Sequence, residues 1–395
     1  MSKNYHLLWS SFLISNIGDW LQKIALPILI LQKTGSAYHM ASIYGVSFIP
    51  WIVFSIFGGV LADKLKRTRI IAIGHFFSLF FLFFLILELG QPNINLLLVY
   101  IATFCLSSVE PLVHPSFQSL LPQLVDKNKL SQANAALQGI DNTLGLIGPM
   151  VSGSLILFVT PIVSLWLNAF SFMLAGFIIL IVKEPKLTKE NSHNETIYSN
   201  IIAGLKYTKK NKVVLSGSIL FLFTNFGINI FQANLIYFIT KFLGYTSLEY
   251  GIVLSVTGFG ALIGAGVAPI VNKYFHTGFI ISMSTIFAGI FTILLFQAEN
   301  LWFIAIMLGL TAVFGNINVI SYFTLRQRVV EPYILGRVIS VTRMISYMSI
   351  PLGAFLGGFL IQQSVSIYTV ILLAGIIRLF AGFFGYFSPL NKNKT

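Results

Sequence analysis

The stretch Gly58–Gly90, GGVLADKLKRTRIIAIGHFFSLFFLFFLILELG, sets Lys64, Lys66, Arg67 and Arg69 directly before an apolar run over 70–90. A run of about 20 apolar residues, rising 1.5 Å each as a helix, matches the ~30 Å hydrocarbon core of a bilayer. Basic residues packed against one end of such a run mark the cytoplasmic side. This one segment therefore predicts a membrane span and its direction.

The whole chain repeats that pattern. Of its 395 residues 56% are hydrophobic and 9% are charged, against about 25% charged in an ordinary soluble domain. Further runs are expected at 7–31, 39–62, 94–115, 134–159, 161–182, 213–240, 248–271, 278–297, 301–324, 338–361 and 366–387. With 70–90 these make twelve spans, an all-α polytopic membrane protein. The joints LGQPNIN, VTPIVS, QAENL and QQSVS are turn-like and lack Lys and Arg. With the N-terminus inside, 20 of the 25 basic residues fall on the cytoplasmic side and only Lys33 and Lys241 outside. Lys23, Arg343 and Arg378 fall within spans. This asymmetry places both termini in the cytoplasm and accounts for the net charge of +13 without nucleic acid. The first run lacks a small-residue cleavage pattern and is read as a retained helix.

One connection is long. Residues 183–212 are polar and hold seven lysines; they read as a cytoplasmic linker between an N-terminal half, 1–182, and a C-terminal half, 213–395. Within the linker, YSNIIAGLKYTKK has the make-up of a short surface helix. The halves echo each other: Leu130, Gly148, Gly153 and Ile156 recur as Leu335, Gly353, Gly358 and Ile361, each 205 residues on. Two six-span halves in the same orientation form a parallel repeat of the kind that rocks about a central site.

Ionisable residues inside spans are expensive and point to function. Asp19 lies about 18 Å from either end of its expected span, too deep for snorkelling. Asn16, Asp19 and Lys23 share one helix face. Two readings stay open for Asp19: an i,i+4 ion pair with Lys23, or a proton or substrate site. Glu110 and Asp141 are expected as further buried acids, with His114 one turn after Glu110 on the same face. Lys23 offers Asp19 a counter-charge, so Glu110 is the better candidate for a group alternating between charged and neutral. His114 reads as a proton relay or as an ordinary hydrogen bond between helices. In the second half Asn225, Asn229 and Gln232 share a face of span 7, and Asn316 and Asn318 lie on span 10. These read as neutral substrate contacts or as interhelical hydrogen bonds. Arg343 is expected to meet a buried acid or the cytoplasmic edge; Arg378 finds no explanation in the sequence. No HExxH, G-x-S-x-G, P-loop or histidine pair for a metal is present, which argues against an enzyme, a metal site and ATP as the energy source.

The loop GGVLADKLKRTR resembles the loop motif of the major facilitator superfamily, carried here by Gly59, Leu61, Ala62, Asp63, Lys64 and Arg67. GLIGPMVSG, with Gly145, Gly148, Pro149 and Gly153, is similar to the glycine-proline motif of its antiporter branches. GDW and ALP in span 1, KTGSA after it, LLPQLV before span 5 and EPYILGRVISVT entering span 11 resemble the macrolide-efflux and enterobactin-exporter branch. The matching loop of the second half, GAGVAPIVNKYFHTG, is degenerate. The resemblance implies a fold of two pseudo-symmetric six-helix halves with span 1 lining a central cavity. It implies a cytoplasmic gate in which Asp63 meets the start of span 11 near Arg337. Gly353, Gly357 and Gly358 would pack span 11 as the glycines of span 5 pack theirs. The implied function is proton-coupled export, by alternating access, of a bulky small molecule such as a siderophore or a macrolide-like drug. The implied place is the bacterial cytoplasmic membrane. The proton gradient is the expected energy source, with no cofactor; protons, lipids and the substrate are the expected partners, and the expected state is a monomer. An importer or lysolipid carrier of the same fold, and a membrane-embedded enzyme or sensor, are the alternatives.

Overall fold

A computed structural model describes residues 2–126, 129–184, 197–298 and 300–392. Helices account for nearly all of it, because backbone polar groups in hydrocarbon must be satisfied within the segment. In chain order they are α1 (Lys3–Thr34), α2 (Ala37–Lys64), α3 (Arg67–Gly90), α4 (Leu96–Ser107), α5 (Val109–Leu124), α6 (Leu130–Phe158) and α7 (Pro161–Ile181). There follow α8 (Ile197–Lys210), α9 (Lys212–Gln232), α10 (Ser247–Tyr274), α11 (Thr277–Leu294), α12 (Leu301–Val329), α13 (Pro332–Gln362), α14 (Ile367–Phe387) and the single turn α15 (Pro389–Lys392).

Eleven helical segments among the described residues are long and apolar enough to cross a membrane. They coincide with the expected spans two to twelve. The first span is α1, whose 32 residues reach about 48 Å; Lys3, Asp19, Lys23 and Lys33 dilute its apolar character. Local chemistry sets several ends. Ser2 caps α1 by accepting from Tyr5 N, and Gly35 closes it in the left-handed region at φ 64°. Asn95, Asn211 and Asn300 cap α4, α9 and α12, and Thr246 with Glu249 forms a capping box on α10.

Two spans differ from expectation. The fourth runs on to Leu124 and is broken at Ser108 into α4 and α5. Pro111 has no N–H to give Ser107 O one turn back, and the Ser108 N–H and hydroxyl both donate to Phe104 O. The seventh changes winding after Gln232 and ends in a π-helical turn, Tyr237–Phe242.

The chain divides into two compact units: Met1–Gly35 with Val46–His193, and Ser36–Gly45 with Asn194–Thr395. The first turns of α2 thus group with the second unit. In the first unit α1 packs on α7 and α6, and α3 packs on α7, α5 and α4. Tyr5, Leu8, Ile71, Leu120, Leu121 and Ile179 form its buried core. In the second unit α9 packs on α14 and α13, and α11 packs on α14 and α12. These are the same partnerships, helix for helix, as the parallel repeat requires. The surface helix expected in the linker is α8, which packs on α13.

The second unit relies on close backbone approach. A Cβ on Gly353 would come within 2.6 Å of Phe226 O, and one on Gly357 would overlap Ile230 O. Both lie where α13 crosses α9. A Cβ on Gly358 would meet Ala41 at 2.9 Å.

The segment after α7 brings a finding outside the expectations. Glu184, assigned from the sequence to the linker, caps α3 within the first unit. Its carboxylate accepts from Arg67 N and Thr68 N, each at 3.1 Å, and from the Thr68 hydroxyl at 3.0 Å. Arg67 Nη1 lies 3.8 Å from the same carboxylate, and Arg67 Nε donates to Ser119 Oγ at 2.8 Å. An anion at a helix N-terminus is favoured by the unpaired amides there. Arg67, expected at the gate, therefore ties α3, α5 and the end of α7 together. The surroundings of Gly59 and the side chains of Asp63 and Lys64 lie outside what is described.

Candidate functional site

The first unit gathers its ionisable groups around α1, and the GDW stretch explains how. A Cβ on Gly18 would overlap Asn168 and Ser171, so the glycine lets α7 approach. Asn168 is fully buried and reaches both Asp19 and, through Nδ2 at 2.7 Å, Gln22 Oε1. Trp20 lies against Gly148 of α6, where a Cβ would sit 2.8 Å from Cγ of the indole. Three consecutive residues thus fix α7, the acid and α6 in turn.

Asp19 itself is half-buried, and Lys23 and Glu110 both act on it electrostatically. Asp141 feels His114, Lys23 and Glu110. The five groups foreseen from the sequence, spread over α1, α5 and α6, therefore form one electrostatic cluster within the first unit. Two details correct the expectation. Glu110 and Asp141 are exposed, not buried, so the cluster lies on an accessible face. The ion pairs closer than 4.0 Å among the described residues are Arg67–Glu184 and Lys129–Asp126. Asp19 and Lys23 are thus not a closed structural pair; the Lys23 ammonium lies 5.0 Å from the centroid of the Trp20 ring. His114 stands edge-on to Trp51, with centroids 6.2 Å apart. The Asn16 amide donates to Phe12 O on its own helix.

The glycines of α6 differ among themselves. Gly148 is a contact glycine and Pro149 is buried beside it, whereas a Cβ on Gly145 would meet nothing within 4 Å. Gly153 is buried.

In the second unit the amides foreseen on span 7 form a chain. Tyr44 OH donates to Asn229 Oδ1 at 3.1 Å, Asn229 Nδ2 donates to Asn225 O at 2.8 Å, and Asn225 Nδ2 donates to Ser346 O at 3.2 Å. Asn229 is buried, while Gln232 is half-buried. Asn316 is half-buried and Asn318 is buried, donating to Ile281 O and to Thr285 Oγ1.

The second half, read for its neutral amides, also encloses charge. Arg326 and Arg378 are both buried in the second unit. Arg326 donates to Thr342 Oγ1 at 2.7 Å and lies 4.5 Å from the Tyr322 ring centroid. Arg343 is half-buried, with no salt bridge among the described residues. Arg337, expected at the gate, is half-buried near the start of α13. Asp19 thus lies deep in a span of the first unit, and the buried guanidinium groups of Arg326 and Arg378 lie in spans of the second.

Asn168, Gln22 and the capping role of Glu184 escaped the sequence reading. A neutral amide on a separate helix carries no pairing signal by itself. Asn168 was nevertheless detectable as the amide within span 6.

Comparison with known proteins agrees with this architecture. The transmembrane secretion effector family of major facilitator transporters matches residues 1–395. The staphyloferrin A transporter of Staphylococcus aureus (strain NCTC 8325 / PS 47) is 26% identical, over 88% of this chain and 86% of that protein. The multidrug efflux pump Tap of Mycolicibacterium fortuitum is 22% identical, over 97% and 95%. Among solved structures, the nucleoside transporter NupG superposes with a TM-score of 0.81 at 13% identity, covering 96% of this chain and 98% of that one. These relatives are transporters, not enzymes. The chain is a multi-pass membrane transporter of the major facilitator superfamily and belongs to its transmembrane secretion effector family.

Proposed function

We propose that this protein is a proton-coupled exporter of bulky, partly polar small molecules across the bacterial cytoplasmic membrane, working by alternating access with both termini inside. The observation that carries the reading is the cluster of Asp19, Lys23, Glu110, His114 and Asp141 on an accessible face of the first unit. Carboxyl groups that water can reach and that influence one another are what exchange of protons for substrate requires. Asn168 orients Asp19, and Asp19, Glu110, Asp141 and His114 are the residues assigned to proton coupling. The first unit offers the positive charge of Lys23; the second offers that of Arg343 and the neutral donors and acceptors of Gln232 and Asn316. A siderophore-like chelator ranks ahead of a macrolide-like drug, since hydroxycarboxylates suit Lys23 or Arg343; the likeness to a staphyloferrin A transporter and to a multidrug pump supports this class.

The test compares culture supernatants of a deletion strain and its parent grown without iron, with and without a proton uncoupler. Reduced secreted chelator in the deletion strain, and in the uncoupled parent, is expected. Undiminished secretion together with raised macrolide sensitivity would reverse the substrate ranking. Substrate uptake driven by the same gradient would instead identify an importer.

A further inference from the structure

The linker helix α8 rests on α13 by one face. A Cβ on Gly204 would come within 2.8 Å of Arg337 O and of Val341 Cγ2, and the Tyr207 hydroxyl donates to Val329 O at 3.3 Å. Ala203 and Tyr207 pack against the buried cluster of Val214, Val330, Ile334 and Val338. At about 100° per residue these positions share one side of the helix with the buried Thr208. The opposite side is uncovered. Ile202 and Leu205 are 44% and 46% exposed there, and Lys206, Lys209 and Lys210 are exposed beside them.

Level and charge together identify what this face meets. The 31 residues of α13 reach about 46 Å across a hydrocarbon core of ~30 Å, so about 8 Å stands out at each end of a centred helix. Arg337, the residue under Gly204, follows Pro332 by five positions, a rise of about 8 Å. The seat of α8 is therefore level with the boundary between hydrocarbon and headgroups. The helix Ile197–Lys210 carries three lysines and no acid. Aliphatic side chains flanked by lysines on one exposed face suit a bilayer surface: the aliphatic groups sink below the headgroups, and the ammonium groups reach back to phosphates.

We propose that this face of α8 docks on anionic phospholipid. Ile202 and Leu205 enter the acyl boundary, and Lys206, Lys209 and Lys210 hold the headgroup phosphates. The surface lies within the second unit, apart from the acidic cluster of the first, and it rests on neither the direction of transport nor its coupling.

The test uses the full-length protein in phosphatidylcholine vesicles containing phosphatidylglycerol. A bimane fluorophore on Ile202→Cys, in a Cys105→Ser background, is exposed to lipids bearing a nitroxide on the acyl chain. Labelled phosphatidylglycerol should quench it at about fivefold lower mole fraction than labelled phosphatidylcholine, the gain from roughly one lysine near an anionic surface. Raised salt should narrow the difference. Lys206→Gln, Lys209→Gln and Lys210→Gln combined should remove it, while quenching by phosphatidylcholine persists. No quenching by either lipid overturns the proposal and leaves the face in water or against protein. Equal quenching by the two lipids, or a preference for phosphatidylglycerol that survives the triple exchange, overturns it as well.

Discussion

Gly148 of α6 lies under the indole of Trp20 of α1, so close that a Cβ at 148 would stand 2.8 Å from Cγ of the ring. Gly145, one turn earlier on the same helix, has nothing within 4 Å of an added Cβ. The two glycines therefore make opposite predictions. Gly148→Ala should overpack the α1–α6 contact and cost about 1–3 kcal/mol. Gly145→Ala should be neutral or slightly stabilising, since alanine is the better helix former by about 1 kcal/mol. Thermal unfolding of the two purified variants checks the contrast; equal destabilisation would contradict the contact.

Asp19→Asn should lower proton-driven export at least about tenfold while the protein still inserts. The isosteric amide leaves the packing of Gly18 and Asn168 in place and removes only the ionisable group. Transport into or out of proteoliposomes under an imposed pH gradient is the measurement. A parent-like rate at every pH would remove Asp19 from coupling.

Glu110→Gln should flatten the pH dependence of transport more than it lowers the maximal rate. Glu110 is exposed and acts on both Asp19 and Asp141, so its proton can come from water and its charge is felt by both. The rate is followed as a function of pH in parent and variant. An unchanged profile would exclude Glu110 as the group that alternates.

Glu184→Ala should destabilise the first unit by about 2 kcal/mol. The change leaves Arg67 N, Thr68 N and the guanidinium without their acceptor. Glu184→Gln should lose less, because the amide oxygen still accepts from the backbone. Unfolding temperatures in the order parent, Glu184→Gln, Glu184→Ala are expected, and a solvated linker residue would show no such order.

The number of spans and the repeat were legible in the sequence because each rests on a one-dimensional quantity. Apolar length must match bilayer thickness, and equivalent glycines recur at a constant offset of 205 residues. The break at Ser108 was hidden because hydropathy does not register a missing amide; Pro111 was its only trace. Asp19, Glu110 and Asp141 were legible as costly residues in apolar runs. That they share one cluster was not, for they come from three helices and meet only when α1 is packed.

The sequence by itself determined that this chain crosses the membrane as paired sets of helices, since hydrocarbon forces every backbone group to be satisfied locally. The tertiary structure alone decided which side chains meet. It placed Asn168 beside Asp19, turned Glu184 from a linker residue into the cap of α3, and enclosed Arg378 among four helices that offer it no carboxylate. Such contacts join residues on separate helices far apart in the chain, and they depend on helix rotation and close approach, which no local pattern of residues encodes.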